Sequence, residues 1–238
     1  MTGVADGLRH RPLVFVRDLL APELDDADLH HLQGSLRLRP GSEITVGDGS
    51  GGWRVCRLAP RPDPVGELQY AGPPPARPTV AFTPVKAERP EWVVQKLTEV
   101  GVARILLLEA ERSVVRWDTS RAARNLDRCR RVAREASMQS RRLWLPEVQG
   151  PLLARDVLAA GLPVAEPGGR PPAAGDAGLV VGPEGGWSPS ELAVVPDRVV
   201  LPGGILRAGT AAVVAGAVLV GLRDGVLAPT RPGTGHAV

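Results

Sequence analysis

Val181-Gly182-Pro183-Glu184-Gly185-Gly186-Trp187-Ser188-Pro189-Ser190-Glu191-Leu192, taken with Leu201-Pro202-Gly203-Gly204-Ile205-Leu206-Arg207-Ala208-Gly209-Thr210-Ala211-Ala212, decides the fold. Each segment continues a short apolar run, Gly178–Val181 and Arg198–Leu201, that reads as a buried strand, and each leads into a helix. Ser188 can cap the first helix, Pro189 suits its first position, and Glu191 completes an S-x-x-E capping box. The second helix, Ala211–Leu222, is apolar all round, which marks it for burial. Two strand–loop–helix units predict an α/β domain with a largely parallel sheet, and such sheets bind ligands beyond the carboxyl ends of their strands. Gly182, Gly185 and Gly186 permit close backbone approach to a ligand; tight strand-to-helix turns are the plainer explanation. Neither loop is a G-x-G-x-x-G or a G-x-x-x-x-G-K-[ST], which argues against a Rossmann dinucleotide site or a P-loop.

Moving towards the N-terminus, strands alternate with helices. The pattern predicts a strand at Thr79–Val85 and a helix at Pro90–Val100, with Val93, Leu97 and Val100 on one face and Gly101 as its stop. A strand at Arg104–Glu109 precedes a long helix, Ser120–Ser140, whose buried side carries Leu126, Cys129, Ala133 and Ala136. Pro151–Ala160 reads as a helix and Leu162–Ala165 as a strand. Prolines at 73–75 and 78 mark a linker, dividing the chain into residues 1–74 and 75–238. The first part carries short strands at Leu13–Val16, Glu43–Val46 and Trp53–Leu58, with a glycine-rich hairpin turn, Gly47–Gly52, between the last two. With a short helix at Asp25–Leu36, this predicts a small β-barrel. The Pro/Gly-rich tail, Ala228–Val238, is expected to fray.

Composition bounds the function. The chain has 238 residues, 43% hydrophobic and 23% charged, enough for two packed cores. No apolar run approaches the roughly 18–20 residues of a membrane span, and Met1–Arg11 lacks a signal-peptide core, so a soluble cytoplasmic protein is expected. Cys56 and Cys129 lie far apart without metal-ligand spacing and read as buried free thiols; no metal is expected. The net charge is +3, and Lys86 and Lys96 are the sole lysines. Arginine's planar fork suits phosphate, although a coding bias explains the arginine excess equally well. Arg121, Arg124, Arg128, Arg131 and Arg134 recur every three or four residues and can line one helix face, either as a solvated face or as an RNA contact. Lys96 and Glu99, a turn apart, can pair. His30 and His31 read as packing or capping residues.

The two glycine-rich segments together resemble the paired signature of the RsmE family, SPOUT methyltransferases that modify N3 of a uridine in small-subunit ribosomal RNA. Further stretches match in order: His30–Gly41, Gln95–Val102 with Glu111–Val115, and Arg134–Arg142. The resemblance covers nearly the whole chain. It implies an α/β fold of the SPOUT trefoil-knot methyltransferase type with an N-terminal PUA-like β-barrel for RNA, and a homodimer with the active site near the subunit interface. S-adenosylmethionine is the implied cofactor, held by Val181, Gly182, Pro183, Glu184, Gly185, Gly186, Leu201, Pro202, Gly203, Ile205, Leu206 and Thr210. The implied substrate is 16S ribosomal RNA, free or in the assembled small subunit. The chain departs from the family pattern at Pro202 and Arg141, where glycine is usual, at Gly209, where glutamate is usual, and at Met138, where a polar residue is common.

Chemistry sharpens these roles. Attack by uridine N3 requires loss of a weakly acidic proton and stabilisation of charge on the uracil oxygens. Arg207, at the mouth of the second loop, is the leading candidate for that electrostatic role or for gripping a phosphate; the alternative is a helix-start arginine paired with a carboxylate. Glu184 is a candidate catalytic residue, as base or ligand-orienting group, or else a loop anchor. RNA-binding candidates are Arg37, Arg39 and Arg54 in the barrel, and Arg112, Arg134, Gln139 and Arg142 beyond it. Two other functions fit the same residues: a SPOUT enzyme acting on another RNA, such as a transfer RNA, and a non-catalytic RNA-binding or ribosome-assembly protein.

Overall fold

The computed structural model describes residues 8, 10–84, 89–113 and 119–228. Lys86, the end of the expected first strand at Val85, the matched residues Val114–Val115 and most of the C-terminal tail lie outside them. The chain divides into two compact units, one of residues 1–75 with 134–145, the other of 76–133 with 146–238. The segment 134–145 thus joins the N-terminal unit, a return that a linear boundary at 74/75 does not contain.

In the first unit, β1 (Leu13–Phe15) pairs parallel with β2 (Glu43–Gly47), and β2 forms an antiparallel hairpin with β3 (Gly52–Arg57). Gly49 and Gly51 have φ of 78° and 93° in the turn, conformations that L side chains rarely adopt. β4 (Asp63–Pro64) and β5 (Gln69–Tyr70) both pair with β3. Helix α1 (Asp26–His30) starts where Asp25 accepts the Asp28 N–H at 2.7 Å, then widens into a π-helical turn over His31–Ser35. His30 and His31 are exposed, so neither fills the core. Phe15, Leu32, Ile44 and Trp53 form the core with Met138 and Leu143 from the returning segment. Met138, a departure from the family's polar residue, is thus core packing.

The second unit holds a six-stranded sheet in which every pairing is parallel. Its strands are β6 (Thr79–Phe82), β7 (Arg104–Glu109), β8 (Glu147–Leu153), β9 (Val164–Arg170), β10 (Gly178–Val181) and β11 (Arg198–Val199), in the order β11-β9-β10-β6-β7-β8. Helix α2 (Pro90–Val100) buries Val93, Val94, Leu97 and Thr98 and ends at Gly101 with φ 114°. Helix α3 spans Thr119–Gln139, α4 Ala154–Ala159 and α5 Pro189–Leu192. The last helix, α6 (Ala208–Arg223), packs on α2 and on β6 and β10. Gly216 makes that packing close: a Cβ there would stand 2.7 Å from a Leu97 methyl.

Several sequence expectations need correction. Glu147–Leu153 is a strand, so the helix expected from Pro151 begins only at Ala154. Pro151 reads as the first residue of that helix, but β8 is an edge strand, where a missing N–H is tolerated, and its register shifts between Leu106 and Leu108. The β9 strand runs on to Arg170, β11 stops at Val199, and α6 begins three residues early, at Ala208. In α2, Val94 and Thr98 are buried and Val100 is only partly so. The arginine face of α3 also divides: Arg128 pairs with Glu91 at 3.1 Å, and Arg134 is held inside the first unit.

Both cysteines are free and buried. Burial pushes the Cys129 thiol up to about 12, with Glu91 adding to the shift, and burial also raises Cys56. Neither is a thiolate at neutral pH, so neither is nucleophilic. In a thiol-reagent assay at pH 8, the native protein should show no rapid reaction, and two thiols should appear on unfolding. A fast-reacting thiol in the native protein would contradict this packing.

Candidate cofactor and RNA site

Because all six strands run the same way, the loops after β6, β7, β10 and β11 leave one edge of the sheet. The chain adds β7 and β8 on one side of β6, and β10, β9 and β11 on the other, so the strand order reverses at β6/β10. A crevice outside the carboxyl ends at such a reversal is where open α/β sheets bind ligands. Each of the β7 and β11 loops is two strand positions from β10, roughly 10 Å at about 4.8 Å per strand.

The first loop, 182–187, is anchored at both ends. Pro183 and Trp187 are buried, while Glu184 and Gly185 are exposed. Gly182 has a packing reason: a Cβ there would lie 2.8 Å from the Trp187 ring. Gly186 turns the chain with φ 69°, and a Cβ on it would meet nothing within 4 Å. In the second loop Leu201 and Leu206 pack against the unit's core, whereas Pro202, Gly203, Gly204 and Ile205 are exposed, Ile205 fully. Gly204 likewise faces open space. Exposed, side-chain-poor backbone along both rims fits the adenosyl group of S-adenosylmethionine, which such backbone can recognise through N–H and C=O groups. At the end of β6, Thr83 donates its N–H to the Val181 carbonyl, and its buried hydroxyl has no partner among the described residues. Nothing in the sequence pattern marks Thr83.

Arg207 is the N-cap residue of α6, extended at φ −66° and ψ 153°, and its carbonyl accepts the Ala211 N–H. Its side chain is exposed and makes no ion pair or hydrogen bond among the described residues, so it is not a carboxylate-paired helix start. Thr210 is exposed on the first turn of α6, beside buried Gly209.

Arg112 comes to the first loop from the β7 side, its guanidinium 3.5 Å from the Gly185 carbonyl. Glu111 beside it is held below the usual carboxylate range, chiefly by the Ser190 and Ser188 hydroxyls. It is therefore charged at neutral pH.

The other RNA candidates fall in the first unit: Arg37, Arg39 and Arg54 from the sheet portion, and Arg134, Gln139 and Arg142 from the returning segment. Arg37, Arg39 and Gln139 are exposed, and Arg37 has φ 54°. Arg54 is committed to backbone, donating to the Gly66 and Leu19 carbonyls. Arg134 donates to both Asp28 oxygens and to the Phe15 carbonyl, so a phosphate would have to compete with a partly buried ion pair. Arg141 has φ 60°, the conformation for which a glycine would be chosen, and its guanidinium caps the Met138 carbonyl.

Residues 73–220 match the family model of an RNA methyltransferase domain, and residues 24–62 that of an RNA methyltransferase PUA domain. The ribosomal RNA small subunit methyltransferase E of Mycobacterium bovis is 38% identical, over 81% of this chain and 83% of that protein. The same-named protein of Synechocystis is 31% identical, over 81% of this chain and 70% of its own length. A crystal structure of ribosomal RNA small subunit methyltransferase E from Neisseria gonorrhoeae bound to S-adenosyl methionine superposes with a TM-score of 0.76 at 28% identity, covering 90% of this chain and 98% of that one. A PUA-like unit and a parallel α/β unit of SPOUT type, with glycine-rich loops at the carboxyl edge of its sheet, are thus shared along the chain, which belongs to the ribosomal RNA small subunit methyltransferase E (RsmE) family of RNA methyltransferases.

Proposed function

We propose that this chain transfers a methyl group from S-adenosylmethionine to N3 of a uridine in the 16S RNA of the small ribosomal subunit. The observation that carries the proposal is the pair of glycine-rich rims at the carboxyl edge of a parallel sheet, in a chain whose relative was crystallised with that cofactor. The cofactor supplies an electrophilic methyl group. Residues 182–186, with Leu201, Pro202, Gly203, Ile205, Leu206 and Thr210, hold it against the sheet edge. Arg207 stabilises charge on the uracil oxygens as N3 loses its proton, and positioning of the two reactants lowers the barrier further. Glu184, exposed on the first rim, orients the ligands or accepts the proton.

The first unit grips RNA phosphate through Arg37, Arg39 and Arg142, and Gln139 lies exposed on the same unit. The protein works as a homodimer in the cytoplasm, where ribosomes are. On α6, Thr210 and Ala217 are exposed, and Val213, Val214 and Val218 are incompletely buried in the single chain, a mostly apolar face that a second copy would cover. No helix among the described residues is long and apolar enough to cross a membrane, and no cluster there could hold a metal.

Calorimetry should detect S-adenosylmethionine binding, and ligand at ten times its Kd should stabilise the fold by about 1.4 kcal/mol. Absence of both heat and stabilisation would leave a non-catalytic RNA-binding protein. Small subunits from a strain lacking the activity, incubated with protein and labelled cofactor and then mapped by mass, should show one N3-methylated uridine. Label appearing only in transfer RNA would reassign the substrate.

A further inference from the structure

The capping box of α5 does more than start a helix. Glu191 is 1% exposed, and its two oxygens accept from different places: Oε2 from the Ser188 N–H at 2.8 Å, and Oε1 from the Glu111 N–H at 2.9 Å, 80 residues away. A buried carboxylate is retained at such cost only when its lone pairs are satisfied. Ser188 Oγ accepts the Glu191 N–H in return and lies 2.8 Å from Ser190 Oγ, which donates to the Glu111 carboxylate at 2.5 Å. Ser113 Oγ closes the turn by accepting the Ala110 N–H at 3.0 Å. The turn after β7 is therefore bolted to the loop after β10 by one carboxylate and two hydroxyls. Ala110 and Trp187 share a buried cluster behind the bolt. At its front sits Arg112, whose Cβ would lie 3.7 Å from a Cβ placed on Gly185.

We infer that Glu191 is a positioning residue: by holding the Glu111 N–H it fixes Arg112 at the lip of the first glycine-rich rim, where that guanidinium receives the RNA substrate. The inference rests on the proposed methyl-transfer reaction. Neither Glu191 nor Ser190 touches a reactant; both act through Arg112. Glu191→Gln keeps the size of the side chain but replaces one acceptor by an NH2 that faces a backbone donor, so the two anchoring bonds cannot both persist. Ser190→Ala removes only the partly exposed link and spares the capping box, which guards against a simple folding failure.

The test is a double-mutant cycle on methyl transfer, with amide hydrogen exchange at Glu111 as a readout independent of activity. Glu191→Gln and Arg112→Ala should each lower kcat/KM for RNA about tenfold and leave S-adenosylmethionine affinity within twofold. Ser190→Ala should lower it about threefold, and the Glu191→Gln/Arg112→Ala pair should be no worse than Arg112→Ala alone. Exchange at Glu111 should accelerate in Glu191→Gln. Losses that multiply in the pair, or a Glu191→Gln enzyme with wild-type kinetics, would overturn the positioning role. A wild-type chain that binds no S-adenosylmethionine would instead overturn the parent reaction, and the exchange measurement would still judge whether Glu191 holds the turn.

Discussion

Arg207→Ala is expected to slow methyl transfer at least about 100-fold, the scale on which enzymes lose rate when one preorganised donor to a developing oxyanion is removed. The Arg207 side chain makes no ion pair or hydrogen bond among the described residues, so its loss should not destabilise the fold, and the melting temperature should stay within about 2 °C of wild type. Its backbone, not its side chain, starts α6 by accepting the Ala211 N–H, and alanine can do the same. Cofactor affinity should change less than about threefold, because the proposed cofactor site is built from the backbone of the two rims; the defect should appear in single-turnover rates with saturating RNA. Arg207→Lys should recover only part of the rate, since an ammonium lacks the planar fork. Wild-type turnover by Arg207→Ala would remove the residue from the reaction.

Asp28→Ala is expected to cost about 2–3 kcal/mol of stability, read as a lower urea midpoint with an unchanged slope. The Asp28 side chain is 7% exposed and the Arg134 side chain 30%, and the pair is bidentate. Removing the carboxylate leaves a half-buried guanidinium whose remaining hydrogen bonds among the described residues go to the Phe15 carbonyl and the Met138 sulfur. Because Arg134 begins the segment that returns to the first unit, the loss should loosen that segment first, exposing Met138 and Leu143 to faster exchange. A loss below about 0.5 kcal/mol would show the pair to be no better than a surface salt bridge. The same geometry explains why Arg134 is a weaker RNA candidate than Arg37 or Arg39: its donors are already engaged.

Where local chemistry is strong, elements are legible residue by residue. Pro90–Val100, Arg104–Glu109 and Gly178–Val181 have the bounds that periodicity and capping predict, and both halves of the Ser188/Glu191 capping box are present. Glu147–Leu153 escapes that reading because an edge strand tolerates the glycine and proline that ordinarily argue against one. The departure at Arg141 was visible as a missing glycine, yet only its φ of 60° says what the glycine would have been for.

Periodicity, caps and glycine spacing, all properties of neighbours along the chain, determined most of the elements and the two glycine-rich loops, and matched motifs carried the family resemblance. Tertiary structure decided what those neighbours cannot encode: that β10 lies between β6 and β9, that residues 134–145 pack with the N-terminal unit, and that Glu191 reaches Glu111. Most of these pairings join segments far apart in the chain. Their stability comes from burying apolar surface and satisfying buried polar groups, and those energies exist only once distant segments have met.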